Sequence, residues 1–110
     1  MTMEAQIQGL IDKANQRMSE DEKVRKEVEN LVKTFNIDLG EEKYSFKLEN
    51  AVISDFRCEM LPAADVVLTS TPETLTKLID GDMRPMRAYV TKKIKIQGKI
   101  NDLMVLKKFF

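Results

Sequence analysis

The sequence lacks several of the residues on which enzyme chemistry depends. Its 110 residues include no His, no Trp and a single Cys, Cys58. One thiol cannot form an internal disulfide bond, and without His there is no His-dependent catalytic triad or His-ligated zinc site. The four Gly are scattered at positions 9, 40, 81 and 98, so no Gly-rich phosphate-binding loop is present. We therefore predict no catalytic residues, no cofactor and no metal site.

Long apolar runs are also missing. No stretch approaches the roughly 18 apolar residues of a membrane-spanning helix, and the N-terminus lacks the charged-then-apolar layout of a secretory signal. The composition, 43% hydrophobic and 33% charged, is typical of a folded globular domain. We expect a cytoplasmic protein with a single domain over residues 1–110.

The formal net charge of zero is a cancellation along the chain. Residues 1–40 contain 6 basic and 8 acidic side chains, residues 41–80 contain 4 and 8, and residues 81–110 contain 8 and 2. The basic last third has two interpretations. It forms a surface that attracts phosphate on a lipid headgroup, a nucleic acid or a nucleotide-tailed metabolite, or it is a solvated face opposite an apolar one.

The first 35 residues predict two helices, because their apolar residues recur at helical spacing in two stripes. The first stripe is Met3, Ile7, Leu10, Ile11, Ala14 and Met18, and the second is Val24, Val28, Leu31, Val32 and Phe35. Between the stripes, Ser19 followed three residues later by Glu22 fits a capping box at a helix start. We expect residues 1–35 to form the two leading helices.

After the leading helices the apolar period changes to two, which predicts strands. Tyr44, Phe46 and Leu48 alternate with polar residues. A second alternation puts these residues on one side: Val52, Ser54, Phe56, Cys58 and Met60. Residues 64–69 supply a third run of high β-propensity. We expect three successive antiparallel strands. Cys58 lies on the apolar side of its strand, so we expect a small buried hydrophobe. A nucleophilic role is disfavoured because no His is present to activate its thiol.

Residues typical of helix starts and ends recur in the second half of the chain. Thr71 can cap a helix, Pro72 suits the first helical position, and Gly81 can end the helix. A shorter helix is predicted to start near Pro85. Two short helices therefore follow the third strand.

The remainder predicts a fourth strand and a last helix. Ile94 and Ile96 alternate with lysines, and Gly98 in that strand indicates a bulge or a close backbone approach. Residues 101–110 form the expected C-terminal helix. The order ααβββααβα predicts the α+β class, with the sheet and its inserted helices over residues 42–100.

Apolar residues are frequent near the C-terminus. They are Met83, Met86, Tyr89, Val90, Leu103, Met104, Leu106, Phe109 and Phe110. Methionine is unbranched and polarizable, so such a group suits a surface that repacks around varied ligands. The alternative is that these residues fill an ordinary core.

Several residues in the ungapped stretch 64–98 match one known family in order and spacing. They are Ala64-Asp65, the hydrophobic and Thr run through Thr69, Leu78, Gly81, Met83, Pro85, Ala88-Tyr89, Lys93-Ile94-Lys95-Ile96 and Gly98. On these residues, and more generally over residues 40–108, the chain resembles the sterol-carrier-protein-2 family of lipid-binding domains. Where that family commonly has Gln-Gly before its lysine strand, this chain has Thr91-Lys92.

The resemblance implies a five-stranded, mainly antiparallel sheet covered by helices on one face, with an apolar tunnel that binds a fatty acid, fatty acyl-CoA, sterol or phospholipid. It implies lipid binding and transfer without catalysis, with the cavity between the sheet and the helices of residues 72–110. The expected lipid-binding residues are Phe46, Phe56, Leu78, Met83, Met86, Tyr89, Ile94, Ile96, Met104 and Leu106. Those expected to contact a headgroup or phosphate are Arg84, Arg87, Lys92 and Lys93.

Two other functions remain open at this point. A protein-interaction or regulatory domain of the same fold would have a filled tunnel, since a small domain has little core volume to spare. Nucleic-acid binding through Lys93, Lys95 and Lys99 is disfavoured because no aromatic residue lies between these lysines. We thus expect a hydrophobic small-molecule ligand, transient contact with an anionic membrane surface and no nucleic-acid partner, and a homodimer if Phe109 and Phe110 are exposed.

Overall fold

The computed structural model describes residues 2–98. In chain order the elements are α1 (Glu4–Glu20), α2 (Glu22–Val28), β1 (Lys33–Asp38), β2 (Lys43–Glu49), β3 (Val52–Arg57), β4 (Val66–Thr69), α3 (Pro72–Asp80), α4 (Pro85–Val90) and β5 (Lys95–Gln97). The predicted C-terminal helix over residues 101–110, with Met104 and Leu106, lies outside the described residues.

The five strands form one mixed sheet in the order β3-β2-β1-β4-β5. Three of the four neighbouring pairs are antiparallel, and β1 pairs with β4 in parallel. The α+β class and the five-stranded, mainly antiparallel sheet are therefore confirmed.

The central strand β1 is the element that the sequence pattern missed. Residues 33–35 were predicted to end the second helix, but α2 ends at Val28 and Phe35 lies in a strand. Phe35, Asn36 and Ile37 are all buried, so the strand shows no alternation of buried and exposed residues. A short run that is buried on both faces cannot be distinguished from a helical segment by its periodicity.

The prediction of three successive antiparallel strands is wrong for the third strand. β2 and β3 form an antiparallel hairpin, but β4 crosses over to pair with β1 instead of β3. The sequence pattern did not show this pairing because it missed β1, the strand beside which β4 lies.

The turn between α1 and α2 is capped by a different residue from the one predicted. Asp21 accepts hydrogen bonds from the backbone N–H groups of Lys23 and Val24, while the Ser19 hydroxyl donates to the Gln16 carbonyl. A carboxylate at the first turn of a helix also interacts favourably with the helix dipole. At α3, by contrast, the structure has the predicted Thr71 cap and the predicted glycine end, with Gly81 left-handed.

The outer strand β3 contains a bulge that changes which side chains face inward. Asp55 has a φ of 55°, and the register with β2 shifts between Ser45 and Lys47. Ile53, which pairs with Leu48 before the bulge, is buried, whereas Val52 is 50% exposed and Cys58 is exposed. The predicted inward side is therefore wrong for Val52 and Cys58, whereas Phe56 is half-buried and packs against the core as predicted.

The two faces of the sheet are covered differently. Apolar residues of one face pack beneath the helices, including Phe35 stacked on Phe46 with ring centroids 4.9 Å apart. On the other face, the Asn36 side-chain amide donates to the Leu61 carbonyl and accepts from the Leu61 N–H, at 3.0 and 2.9 Å. The buried polar strand residue thus holds the loop between β3 and β4 against the sheet.

The predicted close backbone approach at Gly98 is confirmed. A Cβ atom added at Gly98 would lie 2.6 Å from the Asp65 carbonyl oxygen, and φ is 124°. Asp65 in turn accepts from the Thr34 N–H at 2.9 Å, which ties the start of β1 to the start of β4. The residue after β5 must therefore be glycine for β5 to lie this close to the start of β4.

Candidate functional site

An apolar cavity of about 60 Å³ lies between α1 and the sheet. Its lining is formed by Ile7, Leu10, Ile11, Ala14, Phe35, Asn36, Ile37, Phe46, Ile53, Val66, Leu68, Leu75 and Ile96. The polar residue among them is Asn36, whose side-chain amide is bonded to Leu61 on the other face of the sheet and contributes no polar surface to the cavity. The described lining therefore suits hydrocarbon, and its volume is below the roughly 300–1,000 Å³ of typical ligand pockets.

Helix α1 supplies a wall of the cavity that the sequence did not lead us to expect. Ile7, Ile11 and Ala14 lie on one helical face and point toward the sheet. The same stripe was visible in the sequence, but the cavity was expected beneath residues 72–110. Among residues 2–98, Leu75 of α3 is the lining residue from that expected helical cover.

One polar clamp fastens the middle of α1 to the edge strand β3. The Asn15 side-chain amide donates to the Ile53 carbonyl at 3.0 Å and accepts from the Ile53 N–H at 2.7 Å. This pair of bonds satisfies a backbone donor and acceptor on β3, which is an edge strand of the sheet within residues 2–98. It also positions the inner face of α1 over the cavity.

A second clamp fastens the start of α1. The Glu42 carboxylate accepts from the Met3 N–H and from the Tyr44 hydroxyl, both at 2.6 Å. These hydrogen bonds hold the pKa of Glu42 below its usual value, and the bond from Tyr44 has the larger effect. Burial of the phenol raises the pKa of Tyr44 to about 12, with a smaller contribution from its hydrogen bond to Glu42. The clamp is thus formed by an ionised carboxylate and a neutral phenol at neutral pH.

An open groove of about 470 Å³ lies between α4 and β5. Its lining residues are Tyr89, Val90, Lys92, Ile94, Lys95 and Ile96. Ile96 also lines the interior cavity, so one half-buried side chain borders both spaces. Ile96 is thus shared by an apolar interior and by an exterior groove that has two cationic side chains.

The predicted lipid-binding residues separate into three groups. Phe46 and Ile96 line the cavity, and Tyr89, Ile94 and Ile96 line the groove. The remaining described members line neither space: Leu78 is buried in the core, and Phe56, Met83 and Met86 are half-buried. Met104 and Leu106 lie outside the described residues. The structure brings together part of the predicted set and adds the α1 wall.

The predicted headgroup residues are all exposed, but one of them lines the groove. That residue is Lys92, which has a left-handed φ of 62°. Arg84, Arg87 and Lys93 lie on the surface around it without lining either space.

The comparison with protein families identifies the fold. A model of the SCP-2 sterol transfer family matches residues 11–110. The chain belongs to this family. Membership places it among domains that bind or transfer lipids in general, and the resemblance seen in the sequence is confirmed. No curated protein matches the sequence.

Solved structures share the fold at low sequence identity. A UbiJ-SCP2 ubiquinone synthesis protein has a TM-score of 0.70 and 13% identity, over 98% of this chain and 96% of that chain. Palmitated SCP2L2 from Aedes aegypti has a TM-score of 0.64 and 16% identity, over 90% and 88% of the two chains. A double mutant of the sec-alkyl sulfatase PisA1 has a TM-score of 0.69 and 19% identity over 78% of this chain.

The match to the alkyl sulfatase covers a small part of that enzyme. This chain spans 14% of its length, so the likeness concerns one segment of a much larger protein. Within residues 2–98, no helix is long and apolar enough to cross a membrane. The same residues contain no group of three His, Cys, Asp or Glu side chains placed to hold a metal ion.

Proposed function

We propose that the protein binds a hydrophobic lipid without catalysis and transfers it in the cytoplasm, with the hydrocarbon between α1 and the sheet and the polar end in the α4–β5 groove. The observation that carries the proposal is the apolar cavity that shares Ile96 with a groove lined by Lys92 and Lys95. A fatty acyl chain is the ligand class that we favour, and the structural likeness to palmitated SCP2L2 supports this choice.

Binding requires the cavity to expand. Its volume of about 60 Å³ is below the 150 Å³ or so of an engineered cavity that admits benzene. We propose that α1 moves away from the sheet to admit the chain. Burying about a dozen methylenes at roughly 0.8 kcal/mol each would supply about 10 kcal/mol. That energy offsets the lost contacts between α1 and the sheet and the ordering of the ligand.

The polar end of the ligand would meet cationic side chains at the groove. Lys92 and Lys95 are exposed and line it. A lysine ammonium can donate hydrogen bonds to a carboxylate or phosphate, and such charge-assisted bonds are stronger than neutral ones. We therefore expect an acidic lipid to bind more tightly than a neutral lipid with the same chain.

The passage between cavity and groove is tested by a pair of tryptophan variants. We expect Ile96→Trp to reduce uptake of a fluorescent fatty acid at least tenfold, because the larger side chain blocks both spaces. Val52→Trp is the matched control, since Val52 is an exposed aliphatic strand residue away from the cavity. Circular dichroism checks that both variants fold. Equal uptake by the two variants would contradict the proposed site.

The polar end is tested with a charge reversal that leaves the cavity unchanged. Lys92→Glu should weaken binding of a fatty acid and leave binding of a monoacylglycerol with the same chain nearly unchanged. Native mass spectrometry of gently purified and of delipidated protein supplies the independent measurement. If no lipid co-purifies and the delipidated protein shows no saturable uptake, lipid binding is wrong.

The second candidate is a protein-interaction or regulatory domain of the same fold with a filled tunnel. The small volume of the cavity favours this function, since the interior is close to packed. It predicts that the protein has the same stability with and without fatty acid. Lipid binding predicts a Tm that rises with ligand concentration, because a ligand that binds only the folded state stabilises it.

A further inference from the structure

The corner between α4 and β5 has an unusual concentration of one charge. Residues 83–98 contain five basic side chains and no acidic one. We call these residues the basic corner: Arg84, Arg87, Lys92, Lys93 and Lys95. All five are exposed, and no ion pair joins any of them to a carboxylate within residues 2–98. No carboxylate of the described residues thus neutralises their charge.

Apolar side chains are exposed at the same corner. Val90 is 71% exposed and Tyr89 is 38% exposed, both in the last turn of α4. Arg87 and Lys92 flank them in the sequence. Exposed apolar groups surrounded by cations match the interface of an anionic bilayer, where apolar groups enter the headgroup region and cations meet lipid phosphates and carboxylates.

Lys92 has a left-handed backbone conformation, which strains a lysine but not a glycine. The Lys92 N–H donates to the Tyr89 carbonyl at 3.1 Å, and the Lys93 N–H donates to the Ala88 carbonyl at 2.8 Å. This is a helix ending that requires a left-handed residue, and glycine is usual there. Such a conformation is unfavourable for a lysine.

The end of α3 has the same two bonds around a glycine. The Gly81 N–H donates to the Leu78 carbonyl and the Asp82 N–H donates to the Lys77 carbonyl, with the same residue spacing as at Lys92. Gly81 has a φ of 82° and Lys92 a φ of 62°. Strain retained at an exposed residue points to a role for its side chain.

We propose that the basic corner docks the protein on an anionic lipid bilayer, with Val90 and Tyr89 in the headgroup region and the cations against the lipid charges. Docking there would place the mouth of the groove at the membrane, and this link to lipid transfer rests on the proposed function. Nucleic acid is the less suitable partner because residues 83–98 contain one aromatic side chain, Tyr89, for stacking bases.

Co-sedimentation with vesicles tests the docking. Vesicles of phosphatidylcholine with phosphatidylserine are compared with vesicles of phosphatidylcholine alone. We expect binding to the anionic vesicles, weaker binding as salt is raised, and little binding to the neutral ones. Equal binding to both vesicle types, or binding to a single-stranded oligonucleotide and to neither vesicle, would overturn the proposal.

Charge reversals locate the surface. The double variant Arg87→Glu and Lys93→Glu should bind the anionic vesicles at least about 30-fold more weakly, since each cation near such a surface contributes about fivefold. The matched control is Lys13→Glu with Lys23→Glu, which changes the net charge equally on exposed positions of α1 and α2. If the control loses as much binding as the corner variant, the corner is not the docking surface.

A glycine at the strained position separates docking from folding. Lys92→Gly should raise Tm by about 3 °C, because the left-handed backbone is relaxed, and should weaken vesicle binding about fivefold. A stabilised variant that loses binding cannot be explained by misfolding. A variant that binds vesicles as wild type would show that Lys92 does not act in docking.

The docking and the proposed function fail separately. Uptake of a fluorescent fatty acid is measured in solution without vesicles, and vesicle binding is measured on delipidated protein. Vesicle binding without uptake leaves docking intact and contradicts lipid binding. Uptake without vesicle binding contradicts docking and leaves lipid binding intact.

Discussion

The layer between α1 and the sheet and the corner between α4 and β5 use opposite physical chemistry. The first is dry, apolar and fastened by two clamps in which side chains hydrogen-bond the backbone. The second is exposed and cationic, with Lys92 in a backbone conformation that glycine prefers. The α1 layer is thus buried and held by hydrogen bonds, whereas the corner presents its charged groups to solvent.

This contrast explains how one small fold can both enclose an apolar cavity and present charges to a partner. Apolar side chains stabilise the fold when they are removed from water, so they must be buried. Charged side chains act on a partner only if they remain exposed. Ile96 is the side chain that borders both regions. Substitutions in the α1 layer should therefore change stability more than substitutions at exposed positions of the corner.

The largest expected difference is between two aliphatic truncations. Ile11→Ala should reduce the free energy of unfolding by about 3 kcal/mol, because Ile11 is 5% exposed and its removal enlarges the cavity. Val90→Ala should change it by less than about 0.5 kcal/mol, because Val90 is mostly solvated. Urea unfolding measures both. Similar losses in the two variants would mean that the corner is as packed as the α1 layer.

A second pair compares glycines of the two regions. Gly98→Ala should destabilise by about 2 kcal/mol, because its Cβ would collide with the Asp65 carbonyl at a positive φ. Gly9→Ala should stabilise by about 0.5–1 kcal/mol, because Gly9 is exposed within α1 and nothing lies within 4 Å of an added Cβ. Thermal unfolding checks the opposite signs. A neutral Gly98→Ala variant would contradict the close approach of β5 to the start of β4.

The smallest expected effect is the pH dependence of the clamp that Glu42 forms with Met3 and Tyr44. The pKa of Glu42 is lower in the folded state than in the unfolded state. The stability that Glu42 contributes is therefore present above the unfolded pKa and is lost as pH falls through the folded pKa. Glu42→Gln should make the loss of stability in acid less steep. Glu41→Gln, at the exposed neighbouring residue, is the control and should follow the wild type.

The alkaline side of the same clamp has the opposite sign. The pKa of Tyr44 is raised to about 12, so its contribution is present below the unfolded pKa and is lost as pH rises through the folded value. Tyr44→Phe should remove this alkaline step. Urea midpoints across the pH range measure both sides. If Tyr44→Phe and wild type lose stability equally in alkali, the phenol does not contribute to the clamp.

Sequence patterns predicted some of these features because the features are local. The alternation of β2, the ends of α3 and the need for glycine at position 98 follow from spacing and backbone preference. β1 was missed because a strand buried on both faces has no alternation. The bulge at Asp55, which exposes Cys58, has no sequence signature of its own among the residues around it.

The candidate site was predicted less completely than the fold. Phe46 and Ile96 were expected at the cavity and line it, but the α1 residues that line it were not among those expected. The clamp between Asn15 and Ile53 joins residues 38 positions apart, and no spacing rule connects an amide side chain to a distant backbone group. Such contacts are specified only when the chain has folded.

The sequence by itself determined which side of most elements is apolar, where the charge of the last third accumulates and which family the chain resembles. The tertiary structure decided that β1 lies at the centre of the sheet, that α1 covers the cavity and that Lys92 occupies a left-handed helix end. The physical reason is that an apolar stripe requires burial but does not specify its partner. The partner is selected by the packing of all the elements together.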